Sequence, residues 1–182
     1  MGIGIGIGIA VALVTIVVRV AAQPATFRIE RSATLAASPQ TAFGFVNDFH
    51  RWPLWSPWAK MDPAMVVTYE GPPAGVGSVY AWRGNNKVGA GKMTIRESEP
   101  DRRVGLELQF FRPMAATNVG EFKFERVPEG VRVIWSMSGS NNFMGKAFSL
   151  FMDIDKMVGK DFDNGLLALK KLAEAGPTAL SA

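Results

Sequence analysis

The sequence predicts an α+β domain in which a curved antiparallel sheet of seven strands wraps around one long C-terminal helix. A short helix follows the first strand, and an N-terminal transmembrane helix precedes the domain. Three observations predict this. Strand-like runs recur between Gly, Pro and Asn turn signals from Thr26 to Gly139. An apolar three- and four-residue period then runs from Met144 to Leu172. Ahead of both, Met1 to Val18 carries no charge, and Thr15 is its only side-chain hydroxyl.

A soluble domain does not expose such a run, and the alternation GIGIGIGI makes a poor helix in water. In a bilayer the backbone must satisfy its own hydrogen bonds, so helix is the only open-chain solution. Arg19 can snorkel to the interface, and Val20-Ala21-Ala22 brings the segment to roughly the 20 residues that span hydrocarbon. Two readings fit residues 1–22: a retained single-pass anchor, or a signal segment cleaved after Ala22 with release as a secreted or periplasmic domain. The absence of Lys or Arg before the apolar run favours the anchor. Arg19, Arg28 and Arg31 lie on its C-terminal side, which biases the domain to the cytoplasmic face and leaves the side open. Gly2, Gly4, Gly6 and Gly8 form overlapping GxxxG spacings that could seat a homodimer.

Residues 23–176 form the domain and 177–182 a tail. Thr26–Ala36 alternates as a strand, with Ile29, Ala33 and Leu35 on one side. Ser38-Pro39 supplies an N-cap and first-turn proline for a short helix over Gln40–Val46. Asp48–Pro63 has three prolines among three tryptophans and reads as a structured loop. Six strands follow: Met65–Glu70, Gly77–Arg83, Val88–Glu97, Val104–Arg112, Val119–Val127 and Val131–Gly139. The turns between them are short, which means an antiparallel meander. The terminal helix is expected to be continuous, with Met144, Phe148, Phe151, Ile154, Val158, Phe162, Leu166, Leu169 and Leu172 on its apolar face. Gly176-Pro177 ends it. Sheet and helix together leave a cleft between them, the usual place for a small molecule.

Composition removes many functions. The 182 residues include no cysteine, so disulfides, Cys-ligated zinc, iron–sulfur clusters and thiol nucleophiles are excluded. The single histidine, His50, excludes triads and metal sites needing two. A net charge of +4, scattered without a basic stripe, argues against nucleic acid. No metal and no cofactor is expected. Asp153, Asp155, Asp161 and Asp163 read as a solvated helix face rather than a metal site.

WPLWSPW at Trp52–Trp58, Asp62-Pro63 and YEGPPAGVGSVYAW at Tyr69–Trp82 resemble the START-like helix-grip (SRPBCC) superfamily, as do Val133-Ile134-Trp135, MDIDKMVGKDF at Met152–Phe162 and Gly165-Leu166. The likeness is to its bacterial polyketide cyclase/dehydrase-type members and covers Thr26 to Glu174. It implies the helix-grip fold, but no single activity, because the superfamily includes lipid carriers, receptors and cyclases.

Aromatics and methionines dominate the positions expected to face the cleft. The cavity candidates are Trp55, Trp58, Tyr69, Tyr80, Trp82, Met93, Phe110, Phe122, Phe124, Trp135, Met137, Phe148, Phe151 and Met152. Tyr69, Tyr80 and Trp135 each offer a polar handle, and Arg83, Arg112 and Glu107 are charges to place, Glu107 on the outer face. The tryptophan loop reads either as a plug at one end of the sheet or as a lid or membrane contact. His50 would need an orienting carboxylate to act as acid or base, and Asp48 is near in sequence. No catalytic residue is assigned. The expected function is binding, or carriage, of a hydrophobic small molecule or lipid near a membrane. The alternatives are a cyclase- or dehydratase-like enzyme and a protein-interaction module with a vestigial pocket.

Overall fold

The computed structural model describes residues 14–141, 143–150 and 153–176, with backbone only at Met144 and Phe148. Residues 14–21 are helical and form α1. Then come β1 (Thr26–Leu35), α2 (Pro39–Asn47), two short 3-10 turns at Phe49–Leu54 and Pro57–Lys60, and β2 (Val66–Glu70). The meander continues with β3 (Val79–Arg83), β4 (Ala90–Glu99), β5 (Arg103–Arg112), β6 (Ala116–Val127) and β7 (Gly130–Ser140). Two helices close the chain, α3 (Phe143–Ser149) and α4 (Ile154–Glu174).

The strands form one seven-stranded antiparallel sheet in the order β1-β7-β6-β5-β4-β3-β2. Only β1 joins out of sequence order, by pairing with β7 from Thr26↔Ser140 to Leu35↔Val131. Alternation sends Ile29, Leu35, Val131, Val133, Trp135, Phe122, Phe124, Val104 and Leu106 to the concave face, where they are buried. Glu107 lies on the opposite face, ion-paired to Arg96 at 2.9 Å.

The terminal helix is not continuous. Asp153 takes an extended conformation, and its Oδ1 accepts from the Lys156 amide at 2.9 Å, so α4 starts afresh there. An acceptor able to cap a new N-terminus competes with helix propagation, and apolar periodicity does not register that. α4 lies along β1 through Arg31, whose guanidinium reaches Asp155 at 2.9 Å and Asp163 at 3.6 Å. Gly159 makes the notch for it, since a Cβ there would collide with that guanidinium.

The proposed transmembrane helix is not supported by the described residues, among which no helix is long and apolar enough to cross a membrane. Its first 13 residues, and Gly2, Gly4, Gly6 and Gly8 with them, lie outside the described residues. Within α1, Val14, Ile16, Val17 and Val18 are exposed, while Val20 is buried. The junction is tied to the domain, because Asn141 donates its amide to Ala25 O at 2.8 Å and Lys146 Nζ donates to Ala21 O at 3.2 Å.

Candidate functional site

Two aromatic groupings occupy the concave face. The central one is built from the 3-10 turns inward. Asp48 is extended and ends α2, and the 3-10 turn that it caps swings Trp52 and Trp55 under the sheet. Both are almost completely buried, and each satisfies its indole N–H on α2: Trp52 Nε1 donates to Val46 O at 2.9 Å, Trp55 Nε1 to Phe45 O at 3.1 Å. Trp135 is the hub. It stacks on Phe162 at 4.0 Å and on Phe122 at 4.8 Å, and takes the edges of Trp55 and Trp58, each at 5.6 Å. Gly165 permits this, because a Cβ there would meet the Trp135 ring at 2.8 Å. Trp55, Phe122 and Trp135 thus contact one another ring to ring, and Trp58 joins them through Trp135. Phe124 packs instead on Phe43 of α2 at 5.7 Å.

The second grouping is a ladder along β3. Phe110 meets Trp82 at 5.8 Å, Trp82 meets Tyr80 at 6.2 Å, Tyr80 meets Tyr69 at 5.6 Å, and Tyr69 stacks on His50 at 4.2 Å. Register explains it: Trp82 pairs with Val67 and Gly91, and Tyr80 with Tyr69 and Met93. The Trp82 ring lies over Gly91, where a Cβ would come within 2.7 Å of it, and its indole N–H donates to Val88 O at 2.9 Å. Met93 and Met137 are buried beside these rows. The side chain of Phe148 and all of Phe151 and Met152 lie outside the described residues.

The ladder ends in an open cleft of about 220 Å³ between the first 3-10 turn and the β2–β3 connection, lined by Phe49, His50, Tyr69, Glu70, Gly71, Pro72, Pro73, Ser78 and Val79. Gly71 shapes its far wall with φ 78, a conformation side chains resist, and a Cβ there would strike Gly77 O. Ser78 Oγ donates to Pro72 O at 2.8 Å and braces the same wall.

Asp48 organises the polar side of this cleft. Its Oδ1 accepts from the His50 amide at 2.9 Å and faces His50 Nδ1 at 3.0 Å. With the proton on Nδ1, the imidazole presents Nε2 as a free acceptor. Arg51 Nε lies 3.5 Å from the other Asp48 oxygen. Burial, then the Asp48 charge, raises the Tyr69 hydroxyl above its ordinary range. Burial, then Tyr69, pushes Tyr80 up to about 12. Both therefore remain neutral hydroxyls at any physiological pH, with the outer one 38% exposed at the residue level and the inner one 6%.

Of the expected charges, Arg83 and Arg112 sit together at one end of the sheet, and Arg112 donates to Gly84 O at 3.3 Å. Glu107 stays outside. Phe49, Pro72 and Ser78 were not expected at a site. Their only sequence signal is the Asp48-x-His50 spacing, which is that of a side-chain cap, together with the Gly71-Pro72-Pro73 turn opposite. A second, more open hollow of about 460 Å³ lies on the outer face, against Thr26, Arg28, Val119 and Ser138. Among the described residues no group of three or more His, Asp or Glu could hold a metal.

The model of the family described as polyketide cyclase/dehydrase and lipid transport matches residues 26–174. A search of curated protein sequences finds no match. Among solved structures, protein CV1439 from Chromobacterium violaceum aligns at 17% identity over 83% of this chain and 99% of its own, with a TM-score of 0.58. The di-domain ARO/CYC BexL from the BE-7585A biosynthetic pathway is 17% identical over 88% of this chain, with a TM-score of 0.62. This chain spans about half of it, 54%. The Aha1 dimer from Colwellia psychrerythraea is 19% identical over 83% of this chain and 98% of its own, with a TM-score of 0.53. At these identities the likeness establishes the fold.

Proposed function

The chain belongs to the polyketide cyclase/dehydrase and lipid transport family, and from that premise we propose that it binds a hydrophobic small molecule with a hydrogen-bonding head group. One observation carries the reading. The ring ladder from half-buried Phe110 and Trp82 runs without a break through buried Tyr80 to Tyr69 and His50, so an apolar ring surface leads to a polar cleft open to solvent. Flat rings supply apolar contact area, while the Tyr69 hydroxyl and His50 Nε2 supply one donor and one acceptor for a head group. Residues 1–22 keep this site at a membrane as a retained anchor. The exposed valines and isoleucine of α1 support that part, and so does the tie between Ala21, Ala25 and the domain.

Titration of the chain with an environment-sensitive apolar dye tests the site. Bright, saturable binding is expected, and Tyr69→Phe should weaken competition by a hydroxyl-bearing ligand about five- to tenfold, the value of one hydrogen bond. Competition by that ligand indifferent to substitution of both Tyr69 and His50 would place the site elsewhere.

The Asp48–His50 pair favours a second reading, a cyclase- or dehydratase-like enzyme in which Nε2 takes a proton from the substrate. It predicts turnover that His50→Ala and Asp48→Asn abolish while dye binding persists. Turnover indifferent to both substitutions removes it.

A further inference from the structure

We propose that the end of the sheet from which α1 emerges docks onto an anionic bilayer surface. The inference rests on the membrane reading of residues 1–22, and the test below separates the two.

Register gathers the elements. Thr26 pairs with Ser140, Phe110 with Ala116, Ala90 with Arg112 and with Arg83, and Arg83 with Val66, so all these positions share one end of the sheet. The hydrogen bonds from Asn141 to Ala25 O and from Lys146 to Ala21 O bring the foot of α1 and the start of α3 to that same end.

This end carries Arg19, Arg83, Lys87, Arg112 and Lys146, and none of them lies within ion-pairing distance of a carboxylate among the described residues. Its carboxylates are otherwise engaged: Asp62 is buried and accepts from the Asn85 amide at 2.7 Å, and Glu30 pairs with Arg28 at 2.6 Å. The opposite end mixes Glu70, Glu97, Glu99, Asp101, Glu125 and Glu129 with Arg102, Arg103, Arg126 and Arg132, and Arg103 pairs with Glu97 there. Beside the cations stand large, half-exposed apolar side chains: Phe111 at 55% exposure, Met114 at 45% and Phe143 at 53%. Cations interleaved with exposed Phe and Met match a surface of acidic head groups over acyl chains.

The absence of cysteine allows a direct test on the full chain reconstituted into vesicles. Met114→Cys carries a polarity-sensitive fluorophore, and Glu129→Cys carries it at the opposite end as a control. Docking predicts a blue shift at position 114 with phosphatidylserine-containing vesicles that is lost in high salt and reduced by Arg83→Gln with Lys87→Gln. Phosphatidylcholine vesicles should give little shift, and position 129 none. Flotation with both kinds of vesicle but an unshifted probe overturns the docking and leaves the anchor standing. Flotation and shift only with phosphatidylserine overturn the anchor and leave the docking. An equal shift in neutral vesicles, or a shift without vesicles, overturns the proposal in favour of simple insertion or self-association.

Discussion

At His50 one carboxylate decides the chemistry of a whole cleft. Asp48 Oδ1 caps the turn through the His50 amide and orients the ring through Nδ1, so a backbone device also sets which nitrogen faces outward. His50→Ala should therefore lower head-group affinity without a large fall in stability, which dye competition and thermal unfolding read side by side. Tyr80 behaves differently. Burial raises its folded pKa from 10.0 to about 12, so the neutral hydroxyl is favoured in the folded state. The stability this contributes is complete below pH 10 and is lost as pH rises through about 12. Denaturant midpoints measured across that window should decline, and Tyr80→Phe should flatten the part of the decline that this hydroxyl causes. Trp135 is the heaviest single packing residue, stacked between Phe122 and Phe162. Trp135→Ala should cost about 3–5 kcal/mol, visible as a large drop in Tm.

At the scale of elements, the break between α3 and α4 shows what periodicity cannot register. Apolar spacing from Met144 to Leu172 is uninterrupted, yet Asp153 caps a new helix at Lys156. Asp153→Ala should destabilise the domain by about 1 kcal/mol, measured as a shift in denaturant midpoint at constant slope. Strand positions were far more legible, because alternation and Gly/Pro punctuation act locally. β1 was expected over Thr26–Ala36 and runs Thr26–Leu35, whereas β6 starts at Ala116 rather than Val119. There Ala116, Thr117 and Asn118 carry little hydrophobic signal, and pairing with Phe110, Gln109 and Leu108 makes them strand. The tryptophan loop was legible as structured, but sequence alone left plug and lid both open. What settles their placement is long-range: Trp52 and Trp55 find carbonyl acceptors on α2 and ring partners on β6 and β7.

For the molecule as a whole, the helix-grip architecture was visible because element order and one amphipathic helix leave few other ways to bury both faces. The candidate site was only half visible. The aromatic composition of β3 marks the ring row itself, but the cleft depends on His50 meeting Tyr69 across a loop and an edge strand, which no local pattern encodes. Among the described residues, one end of the molecule carries unpaired cations beside exposed apolar side chains, the other mixes carboxylates with arginines, and the ring ladder runs from Phe110 and Trp82 near the first to an open cleft. Native mass spectrometry of the gently purified full chain tests the central claim most directly. The account predicts a co-purifying apolar molecule, retained by the native chain and diminished in a folded Tyr69→Ala variant. A folded chain that carries no such molecule, and takes up no apolar dye, would contradict it.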